Sequence, residues 1–521
     1  MRSFGLLLLW LSLLATCKGH KSMCQTHLAS RWNKIERGME EMSPSFMELF
    51  NASKLFPFGV PFTVPWDNLF RSLLSPNVTD IWYFGGSMIA GSKCKEGGLE
   101  MTKCAYPARM ELMLNFLFSK ESFNPLVVNA NNTELMRKWS EHSNKVICIW
   151  NRAKAGTSTD VNAPLLPQLV AHSSPTPSAL FLDFSVNDGL LSNVQFNKGK
   201  NKTTPILATE SLILYMKKHF PHLPIFFVEA RCTVDSTKYY ELKKQVLERH
   251  GVPLISYRDA AGGPKECVNE YVWGKDTKHP PAPVHRNVAY AVVKAMLWLA
   301  EQHCTEFGDG GRSDGPSGRD ADREHVQYPA LLSEEEVGRE EDAFARFHWT
   351  EPVYSEGERA NVSVCTSTMV YDSYDWYENK GGVVEKMGGR VRGDWKLYED
   401  VSGKPGWIGT KKGSVMEFDV EFGERPGLFV GFLRSYEKVG DALMSIKNGE
   451  LNRQILLEGH HNDHTSVTFT YFTNAATRGF KNTIASMLPG NGFGIKPYSK
   501  ETLRFETTSD AKFKLLYIVV C

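Results

Sequence analysis

Short apolar segments alternate with helical segments between Asp80 and Cys304, and this alternation limits the possible folds more than any other feature. Four apolar segments bounded by turn residues have the composition of buried strands: residues 81–84, 146–150, 179–184 and 225–228. Helical patterns lie between and after them, at residues 109–118, 210–219, 240–250 and 283–302. Strands that alternate with helices form a parallel sheet covered on both faces. The functional groups of such a sheet belong at the carboxyl ends of its strands.

The sequence after Phe347 contains strand patterns only. From Met416 to Phe422 apolar side chains alternate with carboxylates, which is typical of a strand with one buried face. Residues 467–471 repeat this period of two, and residues 513–520 form a final apolar strand. Glycine-rich turns separate these segments, so we predict an antiparallel β-sandwich or jelly roll.

A chain of 521 residues is too long for one ordinary hydrophobic core, so two domains are expected. Residues 308–318 are rich in Gly, Ser and Asp and are followed by acidic runs, which is typical of a flexible linker. The predicted order is a signal peptide (1–19), an N-terminal lead-in (20–75), an α/β domain (76–305), a flexible acidic linker (306–345) and a β-sandwich domain (346–521).

The first residues have the pattern of a secretory signal peptide. A basic Arg2 precedes a short apolar run, and small residues follow near Gly19. We therefore expect a secreted or secretory-pathway luminal protein, with no transmembrane segment beyond the signal peptide. Five N-glycosylation acceptor sequences agree with that address: Asn51, Asn77, Asn131, Asn201 and Asn361. A net charge of +1 without a basic run argues against a nucleic-acid partner.

Disulfides are expected in an oxidising compartment. Of the ten cysteines, Cys17 falls within the predicted signal peptide. The predicted pairs are Cys94–Cys104 and Cys365–Cys521, with Cys232–Cys267 and Cys24–Cys304 as looser pairings, because sequence alone does not fix connectivity. Cys148 lies in an apolar strand pattern and is predicted to be the buried thiol outside the disulfides.

The segment Ile81–Ser87 (IWYFGGS) is the centre of the predicted chemistry. Four bulky strand formers run into two glycines and a serine, as expected where a buried strand ends in a sharp turn that presents a hydroxyl. A serine hydroxyl attacks a carbonyl only if a base takes its proton. We predict that His279 is this base and that Asp276, three residues earlier, orients its ring.

The same reaction needs donors for the oxyanion that forms on the attacked carbonyl. We predict that the backbone N–H groups of Ser87 and Gly156 and the side-chain amide of Asn187 form this oxyanion hole. The segments that carry Gly156 and Asn187 each follow a predicted strand. Glycine at position 156 would let the backbone approach the substrate closely. No metal site and no cofactor are expected.

These segments resemble the conserved blocks of the SGNH hydrolase superfamily, also called GDSL-type esterases, over residues 80–304. The four blocks occur in the family's order at residues 84–87 (FGGS), 151–158 (NRAKAGTS), 186–190 (VNDGL) and 276–280 (DTKHP). The resemblance implies a flavodoxin-like three-layer α/β/α fold. The letters S, G, N and H of the family name stand for four functional residues, and the resemblance assigns these to Ser87, Gly156, Asn187 and His279. It also places His285 at the start of the following helix.

The chain departs from the family pattern at two positions. Gly86 replaces the aspartate that usually precedes the serine, and Val186 replaces the glycine that usually precedes the asparagine. Neither change removes a catalytic atom, but the first removes a carboxylate that normally braces the serine turn.

The resemblance implies a secreted serine esterase that hydrolyses small acyl esters through an acyl-enzyme. O-acetyl groups on glycans are the first substrates to consider, because of the secretory address and the appended sandwich. Three alternatives stay open: a lipase, a glycan O-acetyltransferase and a catalytically inactive carbohydrate-binding protein. Since every predicted catalytic residue lies before Cys304, we expect a fragment that ends there to keep hydrolysing a small soluble ester.

Overall fold

The computed structural model describes most of both predicted domains. It describes residues 21–58, 69, 72–73, 78–92, 94–96, 101–118, 123–126, 147–154, 156–171, 176–197, 199, 201, 203–232, 237–270, 272–273, 279–306, 353–354, 369–373, 389–401, 404–424, 426–448, 451–460, 466–474 and 495–521. The predicted signal peptide and nearly all of the predicted linker lie outside these ranges.

Five parallel strands form the first sheet. They are β1 (Thr79–Gly85), β2 (Ile147–Asn151), β3 (Ala179–Asp183), β4 (Ile225–Glu229) and β5 (Leu254–Ser256). Their spatial order is β2-β1-β3-β4-β5 with every pair parallel, which is the flavodoxin-like order. The predicted α/β class with a parallel sheet is therefore confirmed. The sequence pattern did not single out β5, which has only three residues.

Helices precede, separate and follow these strands along the chain. They are α1 (Lys21–Met42), α2 (Pro44–Leu49), α3 (Met101–Cys104), α4 (Tyr106–Phe118), α5 (Thr159–Asn162), α6 (Leu166–Ala171), α7 (Ser185–Asn197), α8 (Thr204–His219), α9 (Thr237–Arg249), α10 (Tyr257–Ala260) and α11 (Ala282–Glu306), with 3-10 turns at Ala52–Lys54 and Glu266–Val268. Helices α4 and α11 pack against each other. No helix in the described ranges has the length and hydropathy needed to span a bilayer.

A row of stacked aromatic rings crosses the centre of the parallel sheet. Tyr83 of β1 stacks on Phe181 of β3 with ring centroids 4.8 Å apart, and Phe181 stacks on Phe226 of β4 at 4.4 Å. These residues are register partners on neighbouring strands, and all three are fully buried. All seven residues of β1 are buried, which explains its nearly continuous apolar sequence.

The C-terminal region forms two antiparallel sheets. The first has the order β13-β12-β15-β10-β7, and the second β14-β11-β16-β9-β8, with β6 also paired to β16. The strands are β6 (Met369–Asp372), β7 (Arg390–Arg392), β8 (Lys396–Glu399), β9 (Pro405–Gly409), β10 (Val415–Glu421), β11 (Gly427–Arg434), β12 (Ala442–Asn448), β13 (Leu451–Leu457), β14 (Val467–Asn474), β15 (Lys500–Thr507) and β16 (Phe513–Val520). One apolar core joins the facing sides of both sheets, as in the predicted sandwich.

The chain forms two compact units that do not follow one another along the sequence. The first contains Met1–Ala153, Pro175–Gly189 and His219–Pro352; the second contains Lys154–Ser174, Leu190–Lys218 and Val353–Cys521. The second unit therefore combines the β-sandwich with two segments that precede it in the sequence by more than a hundred residues. The predicted domain limits at the linker stay a prediction.

Two of the predicted disulfides are present, Cys94–Cys104 and Cys232–Cys267, with Cα separations of 5.7 and 5.0 Å. Cys521 is disulfide-bonded, and its predicted partner Cys365 lies outside the described residues. The side chains of Cys24 and Cys304 are likewise not described. Cys148 is a thiol, partly rather than fully buried.

Two of the predicted glycosylation sites, Asn51 and Asn201, are exposed, as glycan attachment requires. The side-chain oxygen of Asn51 accepts hydrogen bonds from the Ser53 N–H and hydroxyl at 3.0 and 2.7 Å. The other three, Asn77, Asn131 and Asn361, lie outside the described residues.

Candidate active site

Ser87 lies in a tight turn directly after β1, at the carboxyl edge of the parallel sheet. The Gly86 N–H donates to the Asp183 carbonyl oxygen at 3.1 Å, and the turn is closed by the Ala90 N–H, which donates to the Gly86 carbonyl at 3.2 Å. A Cβ on Gly85 would lie 2.1 Å from the same Asp183 oxygen, so position 85 has no room for a side chain. Ser87 itself is 5% exposed. The sequence prediction of a serine in a strand-end turn agrees with this placement.

His279 reaches Ser87 from a segment 192 residues further along the chain. The imidazole Nε2 lies 2.7 Å from the Ser87 hydroxyl oxygen, within hydrogen-bonding distance. His279 is partly buried and is followed, after two prolines, by α11. A ring nitrogen at this distance can take the hydroxyl proton as the oxygen attacks a carbonyl. Asp276, the predicted partner of the other ring nitrogen, lies outside the described residues, so its role stays a prediction.

Asn187 lies in the first turn of α7, four positions after the last residue of β3. Its two neighbours in the sequence are held by side chains from later in the chain. Arg231 Nη1 donates to the Val186 carbonyl at 3.1 Å, and the Tyr239 hydroxyl donates to Asp188 Oδ2 at 2.9 Å. The turn that carries the Asn187 amide is therefore fixed on both sides. Its contribution to an oxyanion hole stays a prediction.

Gly156 belongs to the second compact unit and has a φ of +84°, in the left-handed region that glycine adopts without strain. Its carbonyl oxygen accepts a hydrogen bond from the Thr468 N–H of β14 at 3.2 Å. The positive φ thus favours glycine at position 156. This reason is separate from the predicted close approach of the backbone to substrate. The oxyanion role of Gly156 stays a prediction.

Sequence reasoning missed a buried carboxyl beside the serine turn. Asp183 is the last residue of β3 and the register partner of Gly85, and it is 1% exposed. Its side chain accepts hydrogen bonds from the Tyr106 hydroxyl at 2.9 Å and from the Ser185 hydroxyl at 2.6 Å. Burial raises the pKa of Asp183 to about 6, although the hydrogen bond from Ser185 opposes the shift. An acid that ends an otherwise apolar strand of a parallel sheet is the sequence signal that could have identified it.

His285 is held as a neutral ring in the same region. It is fully buried, and its Nδ1 accepts a hydrogen bond from the Tyr106 N–H at 3.3 Å. Burial, together with the charges of Arg109 and His279, lowers the pKa of His285 to about 3. A ring that does not gain a proton near neutral pH is a poor general base, which favours His279 in that role.

The next strand carries a fully buried ion pair, in which Lys243 Nζ of α9 lies 3.0 Å from Glu229 Oε2 of β4. The positive charge of Lys243 opposes the rise in the Asp183 pKa, whereas Glu229 adds to it. Among the described residues, no group of three or more His, Cys, Asp or Glu side chains is arranged to hold a metal ion.

No family model matches the chain, and no curated protein matches it at a significant level. Solved structures with a similar fold include a two-domain esterase active on acetylated mannans, with 12% identity over 90% of this chain and 97% of that one and a TM-score of 0.48. Others are an α/β hydrolase from the metagenome of Lake Arreo (15% identity, 44% and 99% coverage, TM-score 0.31) and an acetylxylan esterase from Geobacillus stearothermophilus (13%, 43% and 96%, 0.30). The fold assignment rests on the strand order described above.

Proposed function

We propose that this protein is a secreted serine esterase of the SGNH type. The observation that carries the proposal is the 2.7 Å contact between Ser87 Oγ and His279 Nε2 at the carboxyl edge of a flavodoxin-like sheet. The sequence pattern independently predicts the same two residues as nucleophile and base. A hydroxyl and an imidazole in this geometry form the first half of an acyl-transfer site.

The proposed reaction has two steps. Ser87 Oγ attacks the ester carbonyl while His279 takes its proton, and His279 then gives that proton to the departing alcohol. Water attacks the resulting acyl-enzyme with His279 again as base, which releases the carboxylic acid and restores the serine. The oxyanion in each step is assigned to the N–H groups of Ser87 and Gly156 and to the Asn187 amide.

Hydrogen bonds support the serine turn although Gly86 has no carboxylate. Gly86 donates its N–H to the Asp183 carbonyl, and Asn151 Nδ2 donates to the Ile89 carbonyl at 2.8 Å on the other side of Ser87. We assign the bracing of the turn to these bonds. This assignment favours an active enzyme over the alternative of an inactive carbohydrate-binding protein.

We propose small acyl esters as substrates, with O-acetyl groups on glycans first. Two disulfides and the predicted signal peptide support an address outside the cytosol, where such polysaccharide esters occur. A glycan O-acetyltransferase and a lipase remain alternatives, because sugar can resolve the same acyl-enzyme and a longer pocket can take a longer acyl chain. The solved structures named above make acetylated mannan and xylan natural test substrates.

Ser87→Ala and His279→Ala should each lower kcat/KM on 4-nitrophenyl acetate by on the order of 10³-fold or more, with the fold intact by circular dichroism. The double variant should be little worse than either single one, because both residues serve one unit. Ser92→Ala removes a hydroxyl from the same turn and is the matched control, with activity expected within about twofold.

A fluorophosphonate probe should label wild type at Ser87 and leave Ser87→Ala unlabelled. A folded wild-type protein that takes no label and releases no acetate from acetylated mannan or xylan would instead favour the binding-protein alternative. Esters of rising acyl length separate an acetylesterase from a lipase. Acetyl transfer to an added oligosaccharide, measured by mass, identifies a transferase.

A further inference from the structure

The loop that carries Gly156 is held by strands of the β-sandwich. We call Lys154 and residues 156–171 the Gly156 segment; it lies in the second compact unit together with the sandwich. Lys154 forms an ion pair with Asp372, the last residue of β6, and both side chains are almost fully buried, at 7% and 3% exposure. A buried lysine needs such a partner, because an unpaired charge is costly away from water. The start of the segment is therefore fixed to the sandwich.

Gly156 itself is fixed to the sandwich by its backbone. Among the described strands β14 is at the edge of its sheet, so one row of its N–H groups faces away from its neighbour β11. The Thr468 N–H of this row donates to the Gly156 carbonyl at 3.2 Å. The segment thus supplies a hydrogen-bond partner to the strand edge, and the strand edge fixes the orientation of Gly156.

Hydrogen bonds inside the segment connect these two anchors. The Thr157 hydroxyl and N–H both donate to the Lys154 carbonyl, at 2.7 and 3.2 Å, and close a turn around Gly156. The backbone is therefore held just before and just after the peptide N–H of Gly156.

The rest of the segment packs on the outer face of the second sheet. Val161 and Leu165, both nearly fully buried, form an apolar cluster with Phe429 and Val519. Tyr517 of β16 belongs to the same cluster, and its hydroxyl donates to the Val161 carbonyl at 3.1 Å. The contact between segment and sandwich is therefore a shared core with specific hydrogen bonds.

We propose that β6 and β14 of the sandwich position the Gly156 N–H for catalysis, with Lys154, Asp372 and Thr468 as positioning residues. This inference rests on the proposed function, in which that N–H is an oxyanion donor. An oxyanion donor works only if it is already oriented when charge develops. A displacement of about 1 Å at such a group can cost on the order of 10²-fold in rate. The proposal differs from the expectation that a fragment ending near Cys304 keeps its activity on small esters.

Thr468→Pro in the full chain tests the backbone anchor, since proline removes the N–H that binds Gly156 and is tolerated on edge strands. Thr470→Pro is the matched control: it lies two residues along the same strand, so its N–H points the same way. We expect kcat on 4-nitrophenyl acetate to fall on the order of 10-fold in Thr468→Pro with KM nearly unchanged, and to stay within about twofold in Thr470→Pro. Equal kcat values in the two proline variants would overturn the proposal.

Asp372→Asn tests the ion pair with a smaller change, because the amide keeps the shape of the carboxylate and loses only its charge. Asp400→Asn is its control within the sandwich, where Asp400 pairs with Lys512 and Lys514. We expect Asp372→Asn to lower kcat several-fold with KM unchanged, and Asp400→Asn to lower only the melting temperature. If both variants lose melting temperature equally and neither loses kcat, Lys154 and Asp372 are structural residues only.

Ser87→Ala separates failure of this inference from failure of the proposed function. If Ser87→Ala abolishes turnover while Thr468→Pro and Asp372→Asn match their controls, the esterase assignment stands and the positioning role is refuted. If Ser87→Ala keeps full activity, the proposed function fails, and the positioning role with it.

Discussion

The two sheets of the β-sandwich share one core but differ on their outer faces. In β10 and β15 of the first sheet, buried residues alternate with partly or fully exposed ones. In β16 of the second sheet all eight residues are buried, and in β11 the first six are. The first sheet therefore has an open outer face, and the second sheet has a covered one.

Different chemistry occupies the two outer faces. On the open face Arg390 donates to both carboxylate oxygens of Asp419, at 2.7 and 2.8 Å, in an exposed ion pair. On the covered face the Gly156 segment packs its apolar side chains over β11 and β16. The comparison shows that the outer face of the first sheet is exposed to solvent, whereas the outer face of the second sheet forms a second hydrophobic cluster with the Gly156 segment.

A charge on the covered face should have the largest effect. Val519→Asp puts a carboxylate at a fully buried position without a partner, and we expect a loss of about 4 kcal/mol or more in the free energy of unfolding. Leu456→Asp puts the same carboxylate on the open face, at a position of β13 that is 45% exposed and pairs with Leu443, and should cost about 1 kcal/mol or less. Denaturant titration of both variants measures the difference; similar midpoints would mean that the two faces are equivalent.

Gly431→Ala should have an intermediate effect. Gly431 of β11 faces Tyr517, and an added Cβ would lie 2.0 Å from that ring. The ring must move, so we expect a loss of about 1–3 kcal/mol from overpacking and a lower kcat as the Tyr517 hydroxyl leaves Val161. In a Tyr517→Leu background the same alanine should cost much less, because the clashing ring is gone. An unchanged cost in that background would contradict this explanation.

Asp419→Asn, on the open face, should have the smallest effect. Hydrogen bonds from Arg390 lower the pKa of Asp419, so the folded protein favours the carboxylate. The stability that this gives is fully present above the unfolded pKa of about 4 and is lost as the pH falls through the lower folded value. Since both side chains are about half exposed, we expect less than about 1 kcal/mol. The variant should match wild type in 1 M salt, and a larger, salt-independent loss would count against an open face.

Local sequence patterns predicted the parts of the fold that repeat along the chain. The period of two predicts β10 as a strand with one buried face. The continuous apolar run predicts β16 as a strand, but the further implication, that β16 is covered on both faces, was missed. The serine turn was predictable because strand formers, glycines and Ser87 are contiguous. His279 was found because its segment follows the pattern of a known family.

Pairs of distant residues account for what the sequence did not predict. Asp372 and Lys154 are 218 positions apart, and neither stands in a motif that points to the other. Thr468 contributes only its backbone N–H to Gly156, which no side-chain pattern encodes. Asp183 was not predicted as a site residue, because a single acid at the end of a strand is also typical of a solvent-exposed turn. Such contacts depend on topology, which one sequence specifies only through the completed fold.

The contact between Tyr517 and Val161 also limits when this part of the fold can form during biosynthesis. The two residues are 356 positions apart, so at a translation rate of about 5–20 residues per second Val161 is made about 20–70 s before Tyr517. During that interval Val161 and Leu165 have no complete sandwich to cover them, and the parallel sheet is completed in sequence at Ser256, before any described strand of the sandwich is made. The nascent chain therefore carries its serine and histidine long before the strand that supports Gly156 exists. If Gly156 acts as proposed, esterase activity begins only when the last strand is in place.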